Sequence, residues 1–136
     1  MNKKGLFTVF LLLALMFCLI VHGEEEQGIP YHHVDFDAIL KADGTAEITR
    51  WNKEGEIVIP DTLEGHTVTV IGERAIGYKI TAVTLPESLM NMGLDVFRDC
   101  GANFQFTVTW NSWAERWCEE NGKNYAYPDN LDWLND

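Results

Sequence analysis

Apolar and polar residues alternate from residue 33 to residue 40: Val34, Phe36, Ala38 and Leu40 against His33, Asp35 and Asp37. A period of two marks a strand with one buried face. Asp43-Gly44 follows. A type I′ turn there, with positive φ at both central residues, returns the chain through Thr45 to Trp51, where Ile48, Thr49 and Trp51 favour extended backbone. The pattern predicts a β-hairpin over residues 33–51.

After Gly55 the chain repeats itself. Ile57-Val58-Ile59-Pro60-Asp61-Thr62-Leu63 and Thr69-Val70-Ile71-Gly72-Glu73-Arg74-Ala75-Ile76 make one copy. Val83-Thr84-Leu85-Pro86-Glu87-Ser88-Leu89 and Met90-Asn91-Met92-Gly93-Leu94-Asp95-Val96-Phe97 make the second. The first copy carries an insertion, Glu64 to Val68, and a partial third copy runs from Phe104 to Val108. In the second copy Ile80, Val83 and Leu85 follow an L-x-x-L-x-L spacing in which Val83 and Leu85 share one face of a short strand, and Pro86 ends it because proline has no N–H for a ladder. Leu89 and Met92 turn back inward, and Val96 and Phe97 plug the coil. One such coil cannot bury its apolar side alone, so the coils over 57–108 are expected to stack on a single apolar spine through Ile59, Leu85 and Val108.

The period changes at Ser112. Trp113 and Trp117, and Ala114 and Cys118, are spaced four apart, which predicts a helix over 112–121. Ser112 is its N-cap, Glu115 completes a capping box, and Asn121-Gly122 stops it. Tyr125-Ala126-Tyr127 reads as a last short strand ended by Pro128. Residues 24–32 show no period and are expected to be a flexible lead-in to a domain spanning 33–128. Residues 129–136 form a short acidic, amphiphilic tail.

These residues resemble the BspA-like leucine-rich repeats of bacterial surface proteins. The family's unit runs roughly L-T-S-I-T-I-P-D-S-V-T-S-I-G-x-x-A-F-x-x-C. It is matched by Ile80-Thr81-Ala82-Val83-Thr84-Leu85-Pro86-Glu87-Ser88-Leu89, then Met92-Gly93, Val96-Phe97 and Cys100. The copy with Glu64-Gly65-His66 resembles the family's variant first repeat, and Trp113 to Gly122 with Tyr125 resembles its closing helix. In the first copy Ile76 and Gly77-Tyr78-Lys79 depart from the Phe and Cys of the pattern. The resemblance implies an α+β, mainly β fold: a short leucine-rich-repeat-like solenoid with an N-terminal β-hairpin cap and a C-terminal helix cap. It also implies adhesion or binding to host or neighbouring-cell proteins.

Residues 1–23 supply an address. Lys3 and Lys4 precede an apolar run from Leu6 to Val21, interrupted by Thr8, and Val21 and Gly23 sit at −3 and −1 of a cut after Gly23. This is the layout of a secretory signal peptide. The run is shorter than the roughly 20 residues of a spanning helix, so free secretion is expected, with an uncleaved membrane tether as the alternative. Phe17 before Cys18 argues against a lipoprotein. The chain ends at Asp136 without a wall-sorting signal, which agrees with release.

The 136 residues carry a formal net charge of −11. Such an excess keeps a protein dispersed and argues against nucleic acid and anionic lipid as partners. No membrane contact is expected beyond the leader.

Chemistry-bearing residues are few. His32, His33, Asp35 and Asp37 lie together in sequence and are candidate metal ligands, with a solvated strand face as the alternative. Cys100 and Cys118 are a candidate disulfide or two buried thiols. His66 sits in the insertion without a nameable partner. Ser88 and Ser112 have local roles in a turn and a cap, and neither lies in a Gly-x-Ser-x-Gly elbow. No phosphate loop or dinucleotide fingerprint is present, and no cofactor is expected. Trp113 and Trp117 read as packing, and Trp133 as a candidate exposed anchor. Between the inward residues lie Val58, Thr84, Gln105 and Thr107. With Trp133 they form the candidate interaction face.

The expected function is an exported, non-catalytic module that contacts an extracellular protein or glycan. Two alternatives stand beside it: a small metal-dependent protein or enzyme using the His32/His33/Asp35/Asp37 cluster, and a structural relic of a longer array.

Overall fold

The computed structural model describes residues 27–77 and 79–128. The leader, the acidic tail and Trp133 lie outside the described residues. Ten strands and one helix follow in order: β1 (Ile29–His32), β2 (Phe36–Leu40), β3 (Thr45–Trp51), β4 (Gly55–Val58), β5 (Thr62–Leu63), β6 (His66–Ile71), β7 (Ile80–Thr84), β8 (Asn91–Met92), β9 (Gln105–Thr107), α1 (Trp113–Glu120) and β10 (Tyr125–Ala126).

The chain winds between two sheets. One runs β1-β2-β3-β6-β5, with β8 also on β6; the other runs β10-β9-β7-β4. From β3 onward each coil leaves one strand in each sheet, so strands from successive coils meet in parallel: β3 with β6, β6 with β8, β4 with β7, β7 with β9, and β9 with β10. In the last coil α1 takes the place in sequence that β6 and β8 hold in the earlier ones. This is the solenoid the repeats predict.

The register reproduces the alignment of the copies. Ile57 pairs with Val83 and Val83 with Phe106, while Val70 pairs with Asn91 and Ile71 with Met92. The spine is intact. Ile59, Leu85 and Val108 are all buried in one apolar cluster that draws on both sheets. Their backbone N–H groups each donate to the next coil, to Thr84, Thr107 and Ala126 carbonyls at 2.9–3.0 Å. Ser88 fastens neighbouring segments from the turn, its hydroxyl donating to the Val68 carbonyl at 2.6 Å.

Three local expectations are corrected. The lead-in does not stay outside the fold: Ile29–His32 form β1, antiparallel to β2. Pro30 is tolerated because β1 is an edge strand, where a missing donor costs little. The alternating run does not begin at Val34. The chain reverses over 33–36, the His33 N–H donating to the Phe36 carbonyl, and Val34 at the tip is 85% exposed. Lastly, Asp43-Gly44 is not a type I′ turn, since only Gly44 of the pair has positive φ. The Asp43 carboxylate accepts the Thr45 N–H and hydroxyl, which holds the turn by a side chain and draws the Asp43 carboxyl below its usual range. The two-residue turn with both φ positive is Glu64-Gly65, which joins β5 to β6 within the insertion.

At the other end, α1 is capped as its sequence demands. Ser112 Oγ accepts the Glu115 N–H at 3.1 Å, satisfying one of the donors that a helix start leaves open. The Glu115 carboxylate reaches one residue further back than a standard capping box, to the Asn111 N–H. Ala114 and Cys118 face the core, and Trp117 packs on Phe97 and Phe106 with ring centroids 5.9 Å away.

Candidate functional site

The sheet of β4, β7, β9 and β10 has one side in the core and one in solvent. Because side chains alternate along a strand, burial of Ile57, Val83 and Phe106 sends Val58, Thr84 and Thr107 outward. These three stand in one row, since Val58 pairs with Thr84 and Thr84 with Thr107. Gln105 stands in the next row, paired with Ala82, which in turn pairs with Glu56. The face is therefore continuous and three strands wide, with short side chains in one row and Glu56, Ala82 and Gln105 in the other. Val58 is its large apolar member, 64% exposed.

Trp110 was not singled out by its sequence context, yet it is 74% exposed. Carrying the alignment of Ile59, Leu85 and Val108 two residues further places it level with Asp61 and Glu87, both exposed. That extension was the available signal.

The histidine cluster does not assemble. The reversal over 33–36 divides it into two pairs: His32 Nδ1 lies 2.8 Å from Asp37 Oδ1 across β1 and β2, and His33 Nδ1 accepts the Asp35 N–H at 3.1 Å. The His33 ring stacks on Phe36. Among the described residues no group of three or more His, Cys, Asp and Glu side chains could hold a metal ion. The metal-site alternative is withdrawn on this geometry: residues adjacent in sequence are turned into one exposed cross-strand contact and one local contact within the reversal. His66 likewise makes only a local contact, its Nδ1 3.1 Å from the Glu64 carbonyl oxygen.

Cys100 and Cys118 are free thiols, Cys100 half-buried and Cys118 buried, so the candidate disulfide is not formed in this structure. Burial pushes the Cys118 thiol up to about 11. Burial, then the Asp99 charge, pushes Cys100 up as well. Both stay protonated at neutral pH and are poor nucleophiles. Ser88 and Ser112 have their hydroxyls in turn and cap.

The densest polar cluster joins the helix to the last strand. The Tyr125 hydroxyl donates to Glu119 at 2.8 Å, and the Tyr127 hydroxyl donates to Glu115. The Tyr127 contact comes first among the causes that hold the Glu115 carboxyl below its ordinary range. The Glu119 carboxylate moves the Tyr125 phenol well above its own range. These groups fasten a cap.

Comparison with family models found no match, and comparison with curated proteins found none. Among solved structures, a leucine rich cell surface protein from Faecalibacterium prausnitzii A2-165 is similar to this chain, with a TM-score of 0.51 and 26% identity over 65% of the chain. The chain covers 26% of the length of that protein. A leucine-rich repeat protein from Bacteroides capillosus ATCC 29799 is similar at TM-score 0.45 and 26% identity, over 58% of this chain and 71% of that one. The leucine-rich-repeat solenoid inferred from the residues is matched in three dimensions by the Faecalibacterium prausnitzii protein. No helix among the described residues is long and apolar enough to cross a membrane.

Proposed function

From the leucine-rich-repeat fold we propose that this chain is an exported, non-catalytic interaction module. Its binding face is the outer side of the β4-β7-β9 sheet, and its partner is an extracellular protein or glycan. The observation that carries the reading is the register-matched row of an exposed Val58 and half-buried Thr84 and Thr107, an ordered strip of small side chains on the solvent side of the sheet. Repeat proteins commonly bind through such a stacked surface. Support also comes from what the other clusters do. The paired histidines, the protonated thiols and the tyrosine–carboxylate contacts each have a structural use, and none of them forms a nucleophile–base pair. Export is carried by the layout of residues 1–23, and the cell-surface description of the Faecalibacterium prausnitzii protein agrees with it.

The test is direct. The protein is applied to a printed glycan array and to a panel of immobilised extracellular-matrix proteins, alongside the variant Val58→Glu/Thr84→Glu. Selective capture by at least one probe, lost in the folded variant, supports the proposal. Capture of none refutes it and favours the structural-relic alternative, and equal capture by both proteins refutes the assignment to this face. N-terminal sequencing of the product recovered from the medium tests export, with Glu24 expected as the first residue.

A further inference from the structure

Away from the sheet face, a cleft of about 290 Å³ opens between the end of β3 and the start of β7. It is lined by Arg50, Trp51, Asn52, Lys53, Glu54, Gly77, Lys79 and Ile80. In a chain of net charge −11 this lining is locally basic, with three cations against one carboxylate. Glu54 is engaged by Lys79. Arg50 and Lys53 have no ion-pair partner among the described residues. The carboxylate across the strand from Arg50, Asp37, is 2.8 Å from His32 Nδ1. The wall is not wholly polar. Trp51 stacks on Phe36 with centroids 4.9 Å apart, is 9% exposed, and carries the one buried side-chain polar atom without a partner among the described residues, its indole Nε1. Ile80 is buried at the floor of the cleft.

We infer that this cleft binds one hexuronate residue, the acidic sugar unit of an anionic polysaccharide. The volume admits one small ligand, at the lower end of ordinary ligand sites. Two uncommitted cations can hold a single carboxylate by charge-assisted hydrogen bonds. Asn52 offers an amide for sugar hydroxyls, and the buried Trp51 and Ile80 close the floor beneath it. The site is separate from the β4-β7-β9 face, so it stands or falls independently of the function proposed above.

The test is an NMR titration of the ¹⁵N-labelled protein with D-galacturonate, with D-galactose and a short poly-glutamate peptide as parallel arms. Galacturonate is expected to shift the Trp51 indole signal and the Lys53, Lys79 and Ile80 amides saturably, and the two controls to leave them in place. Arg50→Gln/Lys53→Gln, with unchanged melting, weakens the titration by about tenfold or more. Unmoved signals with galacturonate overturn the proposal. So does an equal response to galactose, an equal response to poly-glutamate, or a double variant that titrates like the parent.

Discussion

The two full copies of the repeat share a backbone and differ in what is attached to it. Arg74 and Asp95 occupy equivalent places, and both adopt positive φ, 53° and 56°. Ala75 and Val96 behind them are buried. The residues ahead, Gly72 and Gly93, are not equivalent in their surroundings. A Cβ on Gly93 would lie 2.4 Å from the Glu73 backbone N, whereas one on Gly72 would meet a Glu47 carboxylate oxygen at 2.9 Å. The first copy also diverts through the Glu64-Gly65 hairpin before rejoining the register. A solenoid therefore fixes what faces the neighbouring coil and tolerates insertion at the bend. The constraint on each position comes from the coil stacked on it: backbone of the first copy against Gly93, mainly a side chain of β3 against Gly72.

That comparison can be broken at several points. The largest effect belongs to the spine. Leu85→Ala should cost about 3–5 kcal/mol in urea unfolding, and Ile59→Ala less, because β4 lies at the edge of its sheet while β7 is flanked on both sides. Equal costs would mean that the flanking coil contributes nothing. Next comes the glycine pair: Gly93→Ala should cost about 2–3 kcal/mol against backbone that cannot yield, and Gly72→Ala about 1 kcal/mol, since a side-chain oxygen can move aside. Ser112→Ala should remove about 1 kcal/mol by freeing the Glu115 N–H. A smaller change of opposite sign is expected at the shared positive-φ site. Arg74→Gly should stabilise by about 0.5 kcal/mol, because glycine adopts that backbone without strain and the exposed Arg74 ion pairs contribute little. Asp95→Gly should be closer to neutral, because aspartate tolerates the left-handed region better than arginine does.

The smallest effect is a pH dependence of the cap. Glu115 has a lowered folded pKa, so its contribution is present above the ordinary carboxylate range and is lost as pH falls through the folded value. Tyr125 and Tyr127 have raised folded values, so theirs is present below the ordinary phenol range and is lost in stronger alkali. Thermal melts of the parent should fall off below the carboxylate range. In Tyr127→Phe the acid limb should be shallower, and an unchanged limb would show that the contact does not couple to folding.

Much of this was legible in the sequence wherever a coil imposes its own period. Ile57 with Val83, Val58 with Thr84 and Gly72 with Gly93 align by inspection and stack in space. Ser112 carries its cap in its local sequence. The losses lie where structure depends on a partner strand. β1 has no alternation of its own and exists because β2 offers an edge. The reversal at Val34-Asp35 has no glycine to announce it. Asp43-Gly44 and Glu64-Gly65 read alike, and the Thr45 contacts of Asp43 separate them. The outer face followed from alternation alone. The cleft of Arg50, Lys53 and Lys79 did not, because it is assembled from segments more than 20 residues apart.

Everything rests on coils that share one apolar spine, and methyl–methyl nuclear Overhauser contacts in a protein labelled at Ile, Leu and Val methyls measure it most directly. The account predicts cross-peaks from Ile59 to Leu85 and from Leu85 to Val108. Their absence, with each of the three methyl groups instead contacting a separate set of neighbours, would contradict it.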